Sequence, residues 1–253
     1  MTLLQPFVSQ VFNGHIWRIQ IDELSGVLGL EIRNEGEKQT SFAAVNLQTG
    51  DVYFDALTLP ERWLTGIEAV YNAVMLLHYY KHESSPEHKG IIGINAQTGK
   101  ELWANYSLTF DHLTVDGPAV YNANIHPKKI QLISVEDGHM LRNFSETDDK
   151  PLEMNIVIPR MVTPDTILPG ILPDEPYGNM VHYLSHGSYI IVSLHTLKKE
   201  VLQQHLYVLA DDKIVYHDLL NSPIQKLQPE AFVIHNNALV YIKNKCQLMA
   251  VQL

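Results

Sequence analysis

The chain has 253 residues, 45% of them hydrophobic and 18% charged, with 18 Lys and Arg against 28 Asp and Glu for a formal charge of −10. That composition belongs to a globular protein with a sizeable core and excludes a disordered chain, while an acidic balance without any run of Lys or Arg argues against nucleic acid and anionic membrane as partners. The single cysteine, Cys246, excludes an intrachain disulfide, and no stretch approaches the ~20 apolar residues of a membrane span.

The first element is a lone strand, residues 7–12. The stretch before Asn13 lacks the basic and then apolar pattern of a secretory leader, so the chain reads as cytoplasmic. Residues 15–57 form a unit of four strands, opened by Trp17, Ile19 and Ile21 alternating against Arg18 and Gln20. Its third strand ends in Asn46-Leu47-Gln48-Thr49-Gly50, a tight-turn pattern in which Gly supplies positive φ and Asn or Thr bonds the local backbone. A second unit, residues 66–107, carries the matching turn Asn95-Ala96-Gln97-Thr98-Gly99. Each turn leads into a strand with an aromatic, Phe54 and then Trp103, of a size to fill the gap between adjacent units.

A second motif strengthens the repeat. Ala69-Val70-Tyr71-Asn72-Ala73 recurs letter for letter at Ala119 to Ala123. It places the first strand of a third, shortened unit at residues 115–144, with a weaker turn at Glu136-Asp137-Gly138. Residues 143–179 then break the period. They hold six of the 13 prolines, Pro151, Pro159, Pro164, Pro169, Pro173 and Pro176, yet also Met154, Ile156, Met161, Leu168 and Ile171. Too apolar for a solvated linker, the segment reads as an ordered insert. A fourth unit follows over residues 179–220, with its turn at Asp211-Asp212, and a fifth begins near Glu230. The fifth lacks an outer strand, and the lone strand at 7–12 is free to supply it, closing a ring and protecting the sheet edges.

The Thr-Gly turns followed by Phe54 or Trp103 resemble the repeats of quinoprotein-type β-propellers and, more distantly, of WD-repeat propellers. The expected fold is an all-β propeller of five blades of four antiparallel strands. It is one domain spanning 1–253, with the Pro-rich insert at 143–179. The resemblance would imply a quinone enzyme only with that class's vicinal cysteine pair, which one cysteine cannot make. No cofactor is therefore expected.

Chemistry-bearing residues are few. The 13 histidines show no tetrahedral ligand spacing. His182 and His186, and the loop pair His82 and His88, read as surface or hydrogen-bonded side chains, and no metal is expected. There is no nucleophile elbow, and Cys246 reads as a buried structural thiol on an apolar strand. Glu68, Asp116 and Glu230 fall near the starts of inner strands and are the candidate ligand-binding residues, sharing one channel mouth under the insert. No catalytic residue is assigned. The expected function is non-enzymatic binding of a protein or small-molecule ligand on one face. The alternative is a glycosidase-like hydrolase using those carboxylates, because paired carboxyls at a defined separation do such work.

Overall fold

The computed structural model describes residues 3–167 and 172–253; Leu168, Pro169 and Ile171 of the insert lie outside the described residues. The described chain is all β apart from one 3-10 turn at Pro164–Thr166. Its first strand, β1 (Pro6–Val11), belongs with the C-terminal strands, and two compact units result: residues 12–154, and residues 1–11 with 155–253.

The 12–154 unit contains three four-stranded antiparallel meanders. The first is β2 (His15–Ile21), β3 (Val27–Asn34), β4 (Gln39–Asn46) and β5 (Val52–Leu57). The second is β6 (Thr65–Tyr71), β7 (Val74–Tyr80), β8 (His88–Asn95) and β9 (Glu101–Asn105), and the third is β10 (Thr109–Thr114), β11 (Gly117–Tyr121), β12 (Ile130–Ile133) and β13 (Met140–Asn143). The expected turn chemistry is present. Asn46 Oδ1 accepts the N–H groups of Gln48 (2.7 Å) and Thr49 (3.1 Å), and Asn95 Oδ1 does the same for Gln97 and Thr98. Gly50, Gly99 and Gly138 all take positive φ.

The two aromatics do reach the next repeat. A Cβ on Gly99 would meet the Phe54 ring at 3.4 Å, and one on Gly138 would stand 2.6 Å from Trp103 Cε3. Each outer-strand ring therefore lodges on the turn glycine of the following sheet. Trp103 also lies over its cross-strand partner Gly93, and its indole N–H donates to Val135 O at 2.7 Å. Adjacent first turns are latched as well. Asp22, fully buried, accepts from Leu24 N and from Ala73 N of the second sheet (2.7 Å), and Tyr71 Oη donates to Val115 O of the third (2.8 Å).

The third sheet corrects the sequence reading. It is not shortened, and its first strand is β10, starting at Thr109 rather than at residue 115. The repeated pentapeptide occupies different places. Ala69–Tyr71 ends the first strand of its sheet, whereas Ala119–Tyr121 sits on the second strand, β11. Asn72 and Ala73 make a two-residue turn with φ of 49° and 58°. Asn122 instead opens a longer loop, its side chain accepting from Asn124 N.

The other unit holds two five-stranded sheets, so four strands per sheet is corrected there. The insert supplies the extra strands, β14 (Ile156–Val157) and β15 (Arg160–Val162). β15 lies beside β16 (Val181–His186), followed by β17 (Tyr189–Lys198), β18 (Val201–Ala210) and β19 (Lys213–Ile224). β14 pairs with β20 (Val233–His235), followed by β21 (Ala238–Lys243) and β22 (Gln247–Gln252). As expected, the N-terminal strand completes this last sheet: β1 runs antiparallel to β22, from Pro6 opposite Val251 to Val11 opposite Gln247. The insert thus satisfies backbone groups along the free edges of β16 and β20 instead of lying free as a loop. Its earlier part does likewise in the 12–154 unit, where Pro151 bridges Thr114 at the end of β10.

Candidate functional site

The first strands of the first three sheets share a departure from regular pairing. β2 is interrupted between Ile16 and Arg18, β6 between Ile67 and Ala69, and β10 between Phe110 and His112. The bulged residues are Trp17, Glu68 and Asp111. A β-bulge re-aims a side chain that plain alternation would send elsewhere, and each of the three is engaged. Trp17 packs under Arg33, Glu68 meets two histidines, and Asp111 is paired with His112 and Lys128. Asp111, which the sequence reading missed, is thus the counterpart of Glu68 that Asp116 was expected to be.

Glu68 is at the centre of the densest cluster. A second bulge lies on β8, where Gly90 and Ile91 together stand opposite the single residue His78 of β7. His88 opens β8 opposite Tyr80. Glu68 Oε1 lies 2.6 Å from His88 Nδ1 and 3.1 Å from His78 Nδ1. The imidazoles stack at 3.6 Å with planes 9° apart, and Tyr80 meets both edge-on. The side chains of Glu68 and His88 are 7% and 24% exposed, and His78 is fully enclosed. Burial opposes charge on Glu68, but the two imidazoles outweigh it and hold the carboxyl at about 2. Burial pushes the His78 imidazole below its ordinary range despite the attraction of Glu68. The contact from His78 Nδ1 to Glu68 is close but off the line of a hydrogen bond, and neither nitrogen of His78 has a hydrogen-bond partner. Gly66 makes room for this ring: a Cβ there would stand 2.8 Å from His78 Cε1 and 3.0 Å from Glu31 Oε2.

Beside the cluster lies an open cleft of ≈310 Å³, lined by Arg33, Trp63, Leu64, Tyr80 and the 82–86 loop. Arg33 stands 5.1 Å from the Trp17 ring, 5.3 Å from Trp63 and 5.9 Å from Tyr80. Its Nε and Nη2 both reach Glu31 Oε1 at 2.7 Å, while Glu31 Oε2 accepts Ile67 N. Trp63 is fixed from below by Glu61, whose carboxylate accepts the N–H groups of Trp63 and Leu64, bonds that lower the Glu61 pKa. Thr40 Oγ1 caps the Trp63 carbonyl. Trp17 remains 61% exposed. A second cleft of ≈280 Å³ runs past His88, Lys89, Tyr106 and Asn124.

The remaining candidates are dispersed. Asp116 is exposed in the β10–β11 turn, beyond the end of β10 and away from the bulge position that Glu68 occupies on β6, and pairs with Arg142 at 2.8 Å. Glu230 belongs to the other unit, exposed before β20, with its carbonyl accepting from Gln204 Nε2. His182 and His186 are engaged by Pro229 O and Asn237 Oδ1, and His82 by Ser84. Cys246 is half-buried in the β21–β22 turn rather than buried on a strand. No helix among the described residues is long and apolar enough to cross a membrane.

A family model described as a domain of unknown function (DUF4905) matches residues 21–103, less than half of the chain. That stretch carries Arg33, Trp63, Glu68, His78 and His88 but not Trp17. No curated protein matches the chain. Among solved structures it is similar to Raptor of Chaetomium thermophilum, at 10% identity and a TM-score of 0.40 over 99% of this chain and 29% of that one. A chain from a study of two prolyl endopeptidases gives 14% identity and a TM-score of 0.30, covering 100% and 34%. The Dos1 propeller gives 7% and 0.29, covering 94% and 70%. The chain therefore spans well under two thirds of the first two.

Proposed function

We propose that the five sheets are the blades of one closed propeller and that it is a binding module, taking a protein segment at the cleft beside Arg33. Support for the blades comes from the repeated meanders, the ring-on-glycine contacts between successive sheets, and the pairing of β1 with β22. The observation that carries the binding reading is the Arg33 guanidinium set among Trp17, Trp63 and Tyr80, with Trp17 open to solvent. Trp, Tyr and Arg are the residues that dominate binding energy at protein interfaces. Arg33 Nη1 has no hydrogen-bond partner among the described residues and is available to a ligand carbonyl or carboxylate. The hydrolase alternative gains no support, because Glu68 is bound to two imidazoles and Asp116 sits at the far end of the strands.

A photo-crosslinking side chain at position 17, tested in the organism's own extract, checks the proposal against the same group at exposed Val11. A defined adduct at position 17, absent at 11 and lost on Trp63→Ala, is the expected result. Equal labelling at both positions, or none at 17, removes the binding reading.

A further inference from the structure

We propose that Glu68, His78 and His88 bind one divalent transition-metal ion of the zinc type. Their ligand atoms lie within 4.8 Å of one another, and two imidazoles with one carboxylate form a known donor set for zinc with a fourth position left open. Three further observations point the same way. His78 is completely buried, its Nε2 has no hydrogen-bond partner and its Nδ1 has only the close, non-hydrogen-bonded contact with Glu68, so the ring carries an unmet demand that a bound ion would satisfy. A bulge on β6 turns Glu68 toward His78, a bulge on β8 at Gly90 and Ile91 lies opposite His78, and Gly66 keeps the space beside His78 clear of a side chain. Glu31, held by Arg33 and Ile67 N, adds a second buried carboxylate near that space.

The inference is independent of the Arg33 cleft. Parallel imidazoles direct their in-plane lone pairs in parallel, so both cannot converge on one ion as they stand. His88, the most exposed of the three and at the start of its strand, is the ring that turns out of the stack on binding. Because His88 also lines the ≈280 Å³ cleft, the ion has a solvent-connected side for its fourth ligand.

The full-length protein, purified without an affinity tag and stripped with chelator, is titrated with zinc chloride by calorimetry and with cobalt chloride by visible absorption. One equivalent of Zn²⁺ and the intense visible bands of four-coordinate Co²⁺ are expected. His88→Gln, at the least buried ligand, should weaken Zn²⁺ at least about 10-fold and abolish the Co²⁺ bands, with folding verified by urea unfolding. His139→Gln, at an exposed turn histidine, should bind as the parent does. Absence of stoichiometric Zn²⁺ binding by the parent protein overturns the proposal, and so does a folded His88→Gln protein that binds Zn²⁺ as tightly as the parent.

Discussion

Trp103→Ala should unfold the 12–154 unit at markedly lower urea concentration. The ring is half-buried, lies on Gly93 within its own sheet, reaches Gly138 of the next and donates to Val135 O. Truncating a buried Trp costs 3–5 kcal/mol, and partial exposure puts the packing loss here at about 3 kcal/mol. Losing the indole hydrogen bond adds about 1 kcal/mol, for a total of about 3–4 kcal/mol. Trp103→Phe keeps most of the ring and should lose only about 1–2 kcal/mol. Gly138→Ala attacks the same contact from the other side. It forces a side chain onto a φ of 72° and a Cβ into the indole, and should cost at least about 2 kcal/mol. In Trp103→Ala/Gly138→Ala the clash has no ring to meet, so the double variant should be less destabilised than the sum. Urea titration followed by fluorescence of Trp17 and Trp63, both in the same unit, reads all four proteins. A Trp103→Ala protein within about 1 kcal/mol of the parent, or strict additivity in the pair, would refute the view that these rings couple successive sheets.

Two further predictions concern the other unit. Removing residues 1–12 strips β1 from β22, exposing that strand and losing buried Val8. It should cost on the order of 5 kcal/mol and promote aggregation, measured by urea unfolding and light scattering; unchanged stability would show β1 to be dispensable. His195 is buried, accepts Gln228 N–H through Nε2 at 3.0 Å, and is pushed down to about 4 by burial and then by His182. Between about pH 6.5 and 4 the unfolded chain takes up a proton at this site that the folded one refuses, so stability falls with pH, by up to about 2 kcal/mol at about pH 5. His195→Gln should flatten the pH dependence by roughly one proton in that window, and parallel slopes would exclude the assignment.

The parts of the fold set by local chemistry were legible in the sequence. An Asn or Ser side chain folding back onto its own turn, with Gly at positive φ, needs only neighbouring residues, and those turns fall where the spacing put them. The pentapeptide misled because identical letters do not fix which strand lies alongside. Tyr71 ends a strand that neighbours the previous sheet, whereas Tyr121 sits between β10 and β12. That displacement carried Asp116 to the wrong end of the strands and hid Asp111. Glu68 was found and His88 was read as a surface or hydrogen-bonded side chain, but His78 and the pairing of both rings with Glu68 were not seen. Glu68, His78 and His88 stand ten residues apart on three strands, with one bulge at Glu68 and another opposite His78, an irregularity that alternation of apolar and polar residues does not announce. The insert's apolar content was read as order, and the pairing of its two strands with β20 and β16 accounts for that order.

The pairing of β1 with β22 has a consequence for molecules in company. The strand is joined to the rest of its chain through Phe12, Asn13 and Gly14, and Gly14 holds a φ of 141° with its N–H on Phe12 O. If that connector opens, the strand of one molecule can complete the sheet of a second while receiving the same strand in return. Every strand-to-strand bond is then remade between copies, and only the connector changes conformation. The strand that completes the sheet within one molecule is therefore also the one that reciprocal exchange between two copies would use.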